Sequence, residues 1–288
     1  MSAGDATTVR LRDGRFLAYE EHGAATGWPV FFFQGTPSSR LLFPNEPITV
    51  ELGVRLISAD RPGFGCSDPK PGRNLLDWAQ DVEELASALG VGRFAIVGVS
   101  GGGPYAAACA YALPERVTRA AILGSAAPPA PGTLAGITWE RRVGFWLARH
   151  APEVLAFIIR KLRNPARDPE AFYASYTRHC VPADRARLER PGISQMFRRN
   201  YQEAGRQGPQ AFIDELLLFA RPWGFDLNQI RVPVSIWHSA DDNSVPIGCG
   251  RALAKLIPNA HTHWLQDEGH LFFADERWRD VLEELLGD

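Results

Sequence analysis

Short apolar runs alternate with helical stripes along most of this chain. Val30-Phe31-Phe32-Phe33, Val54 to Ser58, Phe94 to Val97, Val117 to Leu123 and Val232 to His238 are near-continuous apolar segments a few residues long. Runs of that length without polar alternation suit strands of a parallel sheet covered on both faces. Arg15 to His22 alternates instead and predicts an antiparallel edge hairpin with Thr7 to Arg12; His261 to Leu265 predicts a short last strand. Between strands, Leu75, Trp78, Val82, Leu85, Ala86 and Leu89 fall on one helical stripe, and Gly90 stands where a helix would stop. A final helix is expected over Glu276 to Leu286. Strand and helix in alternation predict an α/β architecture.

The alternation stops between Gly124 and Val232. Ala126-Ala127-Pro128-Pro129-Ala130-Pro131-Gly132 is rich in breakers and makes a natural boundary. From there to about Trp223 the chain carries no strand signal and is helical and aromatic: Trp139, Phe145, Trp146, Phe157, Phe172, Tyr173, Tyr176, Phe197, Tyr201, Phe212 and Phe219. Most of these rings are expected to pack among themselves, and a few to face a site.

Candidate chemistry begins at Gly98-Val99-Ser100-Gly101-Gly102, directly behind the run Phe94 to Val97 and ahead of a small-residue helix, Pro104 to Ala112. A serine between strand and helix on such a turn is forced into strained backbone geometry, and the close passage of the two elements requires Gly98 and Gly102 to lack a side chain. The result is an exposed hydroxyl beside the Gly101 N–H and a helix N-terminus. Such a serine needs a base and an acid to orient it. An acid-rich turn, Asp241-Asp242-Asn243, comes after one predicted strand, and Asp267-Glu268-Gly269-His270 after the next.

In these features the chain resembles the α/β-hydrolase superfamily over nearly its whole length. The resemblance rests on the elbow, on Gly35-Thr36-Pro37, on the loop Asp60-Arg61-Pro62-Gly63-Phe64-Gly65-Cys66-Ser67, on Ser239 to Pro246, and on His270 in its Glu-Gly-His setting. It implies a mostly parallel eight-stranded sheet with helices on both faces, residues 1–127 and 225–288 forming the core and 128–224 an inserted helical cap. It implies Ser100 as nucleophile, His270 as base and Asp242 as acid, with Asp241 the alternative. The oxyanion hole would use the N–H groups of Thr36 and Gly101. One residue departs from the pattern: Gln34-Gly35 stands where the family has His-Gly, which changes the side chain supporting that turn.

Ester hydrolysis is the reaction this predicts, on a small to medium apolar substrate, with activity falling below roughly pH 6–7 as the histidine protonates. C–C bond hydrolysis or lyase chemistry on a carbonyl metabolite is the alternative. A ligand receptor with very slow turnover is a third, which the Gln34 departure keeps open. Dehalogenase and epoxide hydrolase relatives use an aspartate where this chain has Ser100. A dinucleotide site is not expected, because Gly-x-Gly-x-x-Gly is absent in register and Leu123-Gly124-Ser125 offers no acid.

Composition narrows the partners. The 288 residues are 45% hydrophobic and 22% charged with a net charge of −2, which gives no electrostatic case for nucleic acid or an anionic membrane. No run approaches the ~20 apolar residues needed to span a bilayer, and Met1 to Asp13 lacks the apolar core of a signal peptide. A cytoplasmic enzyme with a small-molecule substrate, no cofactor and no metal is expected; assembly as a homodimer is compatible with it. Cys66, Cys109, Cys180 and Cys249 show no paired spacing and are expected as free thiols, Cys66 nearest the active side of the sheet. His261 and His263 share a strand face but lack further ligands in sequence, and His238 is expected to pack beside the acid.

Overall fold

The computed structural model describes residues 6–135, 137, 139–162, 168–258 and 260–287, so the first five residues of the polar Met1–Asp13 segment lie outside it. The chain enters as a hairpin, β1 (Thr7–Arg10) and β2 (Phe16–Gly23), followed by β3 (Trp28–Phe33), α1 (Glu46–Glu51), β4 (Val54–Ala59) and α2 (Leu75–Ala88). Strand β5 (Phe94–Val99) runs through a short 3-10 turn into α3 (Gly103–Ala112), and β6 (Val117–Leu123) closes this half. Six helices come next among the described residues: α4 (Trp139–His150), α5 (Pro152–Leu162), α6 (Pro169–His179), α7 (Pro182–Leu188), α8 (Pro191–Ala204) and α9 (Gln210–Phe219). The chain then returns through β7 (Val234–Ser239), α10 (Ile247–Leu256), β8 (His261–Leu265) and α11 (Arg277–Leu286).

The eight strands form one sheet in the order β1-β2-β4-β3-β5-β6-β7-β8. Only the pairings of β2 with β1 and β4 are antiparallel; from β4 to β8 the sheet is parallel. Why its central strands are apolar throughout is visible in β3. Phe31 and Phe33 face one core with Trp78, Val82 and Leu85 of α2, while Val30 and Phe32 face the other with Trp278, Val281 and Leu282 of α11. Side chains alternate across a strand, so a strand covered on both faces must be apolar at every position.

Helix α2 starts where its sequence directs. Asn74 accepts from the Leu76 and Asp77 N–H groups, and Asp77 accepts in return from the Asn74 N–H, a reciprocal cap that satisfies otherwise orphaned donors. Gly90, with φ +67°, stands just past its end.

Strand order reverses between β3 and β5, because the chain winds outward to β4 on one side and to β6 on the other. Loops leaving the carboxyl ends of parallel strands diverge at such a switch point and open a crevice there. The loop after β3 carries Thr36 and the loop after β5 carries Ser100, so the two expected halves of the site flank that crevice.

The helices between β6 and β7 have little core of their own. A small cluster joins Ala148, Leu155, Ala156 and Ile159 to Ile213 and Ala220, whereas Tyr173, Phe197 and Tyr201 join the core beneath the sheet. Prolines begin α6, α7 and α8, where a missing N–H costs nothing and the fixed φ suits the first turn.

Candidate active site

The turn after β5 has the strain its sequence predicts. Val99 is still extended, at φ −104° and ψ 135°, and Ser100 swings to φ +54° before α3 begins. Positive φ is uncommon for a residue with a side chain and is tolerated where surrounding structure enforces it. The enforcement is steric. A Cβ at Gly102 would stand 1.9 Å from the Phe33 carbonyl oxygen, and one at Gly98 would stand 2.6 Å from the Gly102 carbonyl oxygen. Strand and helix therefore meet backbone to backbone, with Ser100 at the apex. Gly101 abuts the facing loop, since a Cβ there would lie 2.3 Å from Thr36 Oγ1.

His270 and Asp242 come together across the loops after β8 and β7. His270 Nδ1 and Asp242 Oδ2 are 2.6 Å apart. The other carboxylate oxygen accepts from the Ser244 and Val245 N–H groups at 2.7 and 2.8 Å, which fixes the orientation of Asp242. Burial by itself would raise the Asp242 carboxyl, but the His270 charge and these hydrogen bonds outweigh it and hold the group below its ordinary value. Asp241, the alternative acid, points elsewhere and accepts from the Asp267 N–H at 2.8 Å. Ser100, His270, Thr36 and Gly101 all line one cavity of about 560 Å³.

The alpha/beta hydrolase fold profile matches residues 29–277. The chain belongs to this family. Over 278 residues the chain is 27% identical to 2-hydroxymuconate semialdehyde hydrolase of Pseudomonas putida, covering 93% of this chain and 90% of that protein. A bifunctional esterase/perhydrolase of Acinetobacter calcoaceticus is 29% identical over 259 residues, 87% of this chain and 88% of the relative. A non-heme chloroperoxidase of Streptomyces lividans is 38% identical, but over 125 residues, which are 42% of this chain and 45% of that one.

Of the eleven aromatic residues singled out between Trp139 and Phe219, all but Trp146, Phe157 and Tyr173 line the cavity, and Phe172, Tyr176, Phe197 and Tyr201 among them also pack ring against ring. Phe145 and Phe212 pack against the aliphatic cluster of α4, α5 and α9 while lining the cavity as well. Trp146 and Phe157 stand exposed at 58% and 61%, as does the cavity-lining Trp139 at 71%. Among the described residues no lysine or arginine lines the cavity; Glu140 is its only carboxylate.

Asp184, Asn200, Glu203 and Glu215, buried polar side chains of the helices between β6 and β7, reach into loops of the sheet, and none of the four is among the residues that the sequence motifs single out. Asp184 of α7 accepts from the His270 and Leu271 N–H groups at 2.7 and 2.8 Å. Asn200 of α8 accepts from the Ser39 N–H and the Ser38 hydroxyl at 2.7 and 2.9 Å. Glu203, also of α8, meets Arg40, which bonds Asp60 as well. Glu215 of α9 takes Arg61 Nε at 2.5 Å, the Tyr105 hydroxyl at 2.9 Å and the Thr36 hydroxyl at 2.5 Å. Glu215 follows Asp214 between the apolar runs Ala211 to Ile213 and Leu216 to Phe219, so an acid pair interrupts the apolar pattern without marking which of the two is buried.

The remaining candidates settle outside the cavity wall. Cys66, expected on the active side, lines a separate cleft of about 600 Å³ with Arg40 and Glu203. Its thiol is pushed up by burial and by Glu203, 3.3 Å from the sulfur. Cys109, Cys180 and Cys249 are buried thiols outside any disulfide. His261 and His263 each meet one oxygen of Glu284, at 2.5 and 2.9 Å, and the three are the histidine–carboxylate set close enough to share a cation among the described residues. No helix among the described residues is long and apolar enough to cross a membrane.

His238 packs beside the acid, 3.7 Å from Asp242 Oδ2, with Nε2 on the Val245 carbonyl oxygen at 2.9 Å. Its Nδ1 has no hydrogen-bond partner and lies 2.6 Å from where a Gly250 Cβ would be, so α10 seals it. A proton there would be a buried donor without an acceptor, and burial accordingly lowers the His238 pKa. The unfolded chain thus takes up a proton that the folded one refuses, and stability is lost as pH falls below about 6.5. In His238→Gln the melting temperature should drop less between about pH 7 and pH 5 than in the parent. Equal drops would assign the acid sensitivity to other groups.

Proposed function

We propose that this protein is a serine hydrolase that cleaves small to medium apolar carboxylic esters through an acyl-enzyme. The observation that carries the reading is the joint arrangement of a strained Ser100 and an Asp242-paired His270 on one apolar cavity. With Nδ1–H donated to Asp242, the basic atom of the imidazole is Nε2. Nε2 takes the Ser100 proton as Oγ attacks the carbonyl carbon, and Asp242 stabilises the imidazolium. The Thr36 and Gly101 N–H groups receive the oxyanion. His270 then returns the proton to the departing alcohol. Water attacks the acyl-enzyme in the same way and frees the acid. The helices of residues 128–224 act as the cap, supplying the aromatic wall that excludes water from the acyl group.

C–C bond hydrolysis is the second reading, favoured by the 27% identity over nearly the whole chain to 2-hydroxymuconate semialdehyde hydrolase. The cavity wall argues for neutral esters instead. A substrate bearing a carboxylate would bury that charge against apolar side chains, with no lysine or arginine among the described lining residues to pair it. The test is turnover of p-nitrophenyl acetate, butyrate, octanoate and laurate beside a ring-cleavage dienol carboxylate. Butyrate or octanoate is expected to give the highest kcat/KM, exceeding the carboxylate substrate by about 100-fold or more. A reversed order would replace ester hydrolysis by the C–C reaction.

A further inference from the structure

We infer that Glu215, on insertion helix α9, is a positioning residue that holds the Thr36 end of the oxyanion hole through Arg61. The inference rests on the hydrolase reading and adds a part to it that the core fold alone does not contain.

Arg61 stands just after β4 and reaches the loop after β3 with its whole fork. Nη1 donates to the Gln34 carbonyl oxygen at 2.6 Å, and Nη2 donates to the Gly35 carbonyl oxygen at 2.7 Å and to Thr36 Oγ1 at 3.0 Å. Three consecutive residues of the loop are thus tied to one rigid plane. The guanidinium is itself 1% exposed, and its charge is matched by Glu215, 0% exposed, which takes Nε on one oxygen and Nη2 on the other. The Thr36 hydroxyl donates to the same carboxylate at 2.5 Å. A buried carboxylate from the insertion therefore fixes both the plane that grips the loop and the side chain of the residue whose N–H faces the oxyanion.

Gln34 shows why this support is needed. Its side chain turns away from the loop, donating to the Ala59 carbonyl oxygen at 2.9 Å, while its own Oε1 has no hydrogen-bond partner. The residue at the position of the family's histidine does not brace the turn here; Arg61 does, and Arg61 stays in its place only while its buried charge is compensated. Small displacements of an oxyanion donor are costly because the hydrogen bond must fit the charge that develops in the transition state.

Two single variants test this. Glu215→Gln keeps the shape but removes the charge; Arg61→Lys keeps the charge but loses the planar fork that serves several acceptors at once. Labelling of Ser100 by a fluorophosphonate in the parent first establishes the hydrolase reading on its own. In each folded variant kcat should then fall roughly 10- to 100-fold with KM within about threefold of the parent. The inhibition constant of a trifluoromethyl ketone, whose adduct carries the oxyanion, should rise in step with the fall in kcat/KM, and the midpoint of the pH profile, set by His270, should stay in place. A kcat near the parent value in either folded variant, or a fall in kcat without weaker ketone binding, overturns the inference. If Glu215→Gln fails to fold, Arg61→Lys decides alone.

Discussion

Replacing Ser100 with alanine is expected to bring ester turnover down by on the order of 10⁶-fold and to abolish the fluorophosphonate adduct seen by intact mass. The hydroxyl is the only atom removed that can bond to the acyl carbon, and the elbow that presents it is held by Gly98, Gly102 and the Phe33 carbonyl rather than by the serine side chain. Alanine suits φ +54° no worse than serine, so the melting temperature should change little and the loss will read as chemistry. Residual rate over the uncatalysed reaction would report what the Thr36 and Gly101 donors achieve without a nucleophile. Near-normal turnover, or an adduct that survives in the variant, would move the nucleophile off Ser100 and remove the basis of the mechanism.

The strands from β3 to β7 are legible in the sequence because burial on both faces leaves a local signature: in β3, Phe31 and Phe33 serve one core and Val30 and Phe32 the other, so the run is apolar throughout. Gly98 and Gly102 are legible for a similar reason, since two backbones cannot pass so close with a Cβ between them. What holds the site together is not. Asp184 and Glu215 are ordinary acids on helical segments, and nothing local marks that one accepts from the His270 backbone and the other from Arg61, 154 residues away. Their meaning appears only when the insertion folds back over the sheet. The aromatic residues show packing but not its second use: Phe172, Tyr176, Phe197 and Tyr201 pack ring against ring, yet they belong to the eight of the eleven that also line the cavity, which only the fold of the insertion over the sheet reveals. Cys66 belongs to the same class. Its loop has a recognisable sequence, but the direction of its thiol, toward Glu203 and a separate cleft, is decided by helix α8 more than a hundred positions away.

Asp242→Asn should reduce kcat by on the order of 10⁴-fold, whereas Asp241→Asn should leave it within a few-fold. The difference lies in which carboxylate oxygen faces what. Oδ1 of Asp242 accepts two backbone N–H groups, from Ser244 and Val245, so an asparagine at this position must place its carbonyl oxygen there. Its NH₂ then takes the place of Oδ2 and donates toward His270 Nδ1. To accept that hydrogen bond, Nδ1 must lose its proton, and the ring adopts the tautomer with hydrogen on Nε2. The atom that should accept the Ser100 proton is then already protonated. Geometry and packing survive while the base is disabled, so kcat should collapse with little change in KM or melting temperature. Asp241 offers no such consequence, because its carboxylate faces the Asp267 N–H and never meets the imidazole. If Asp241→Asn were the crippled variant and Asp242→Asn active, the hydrogen bond between Asp242 and His270 would be structural, and the acid of the mechanism would have to be reassigned.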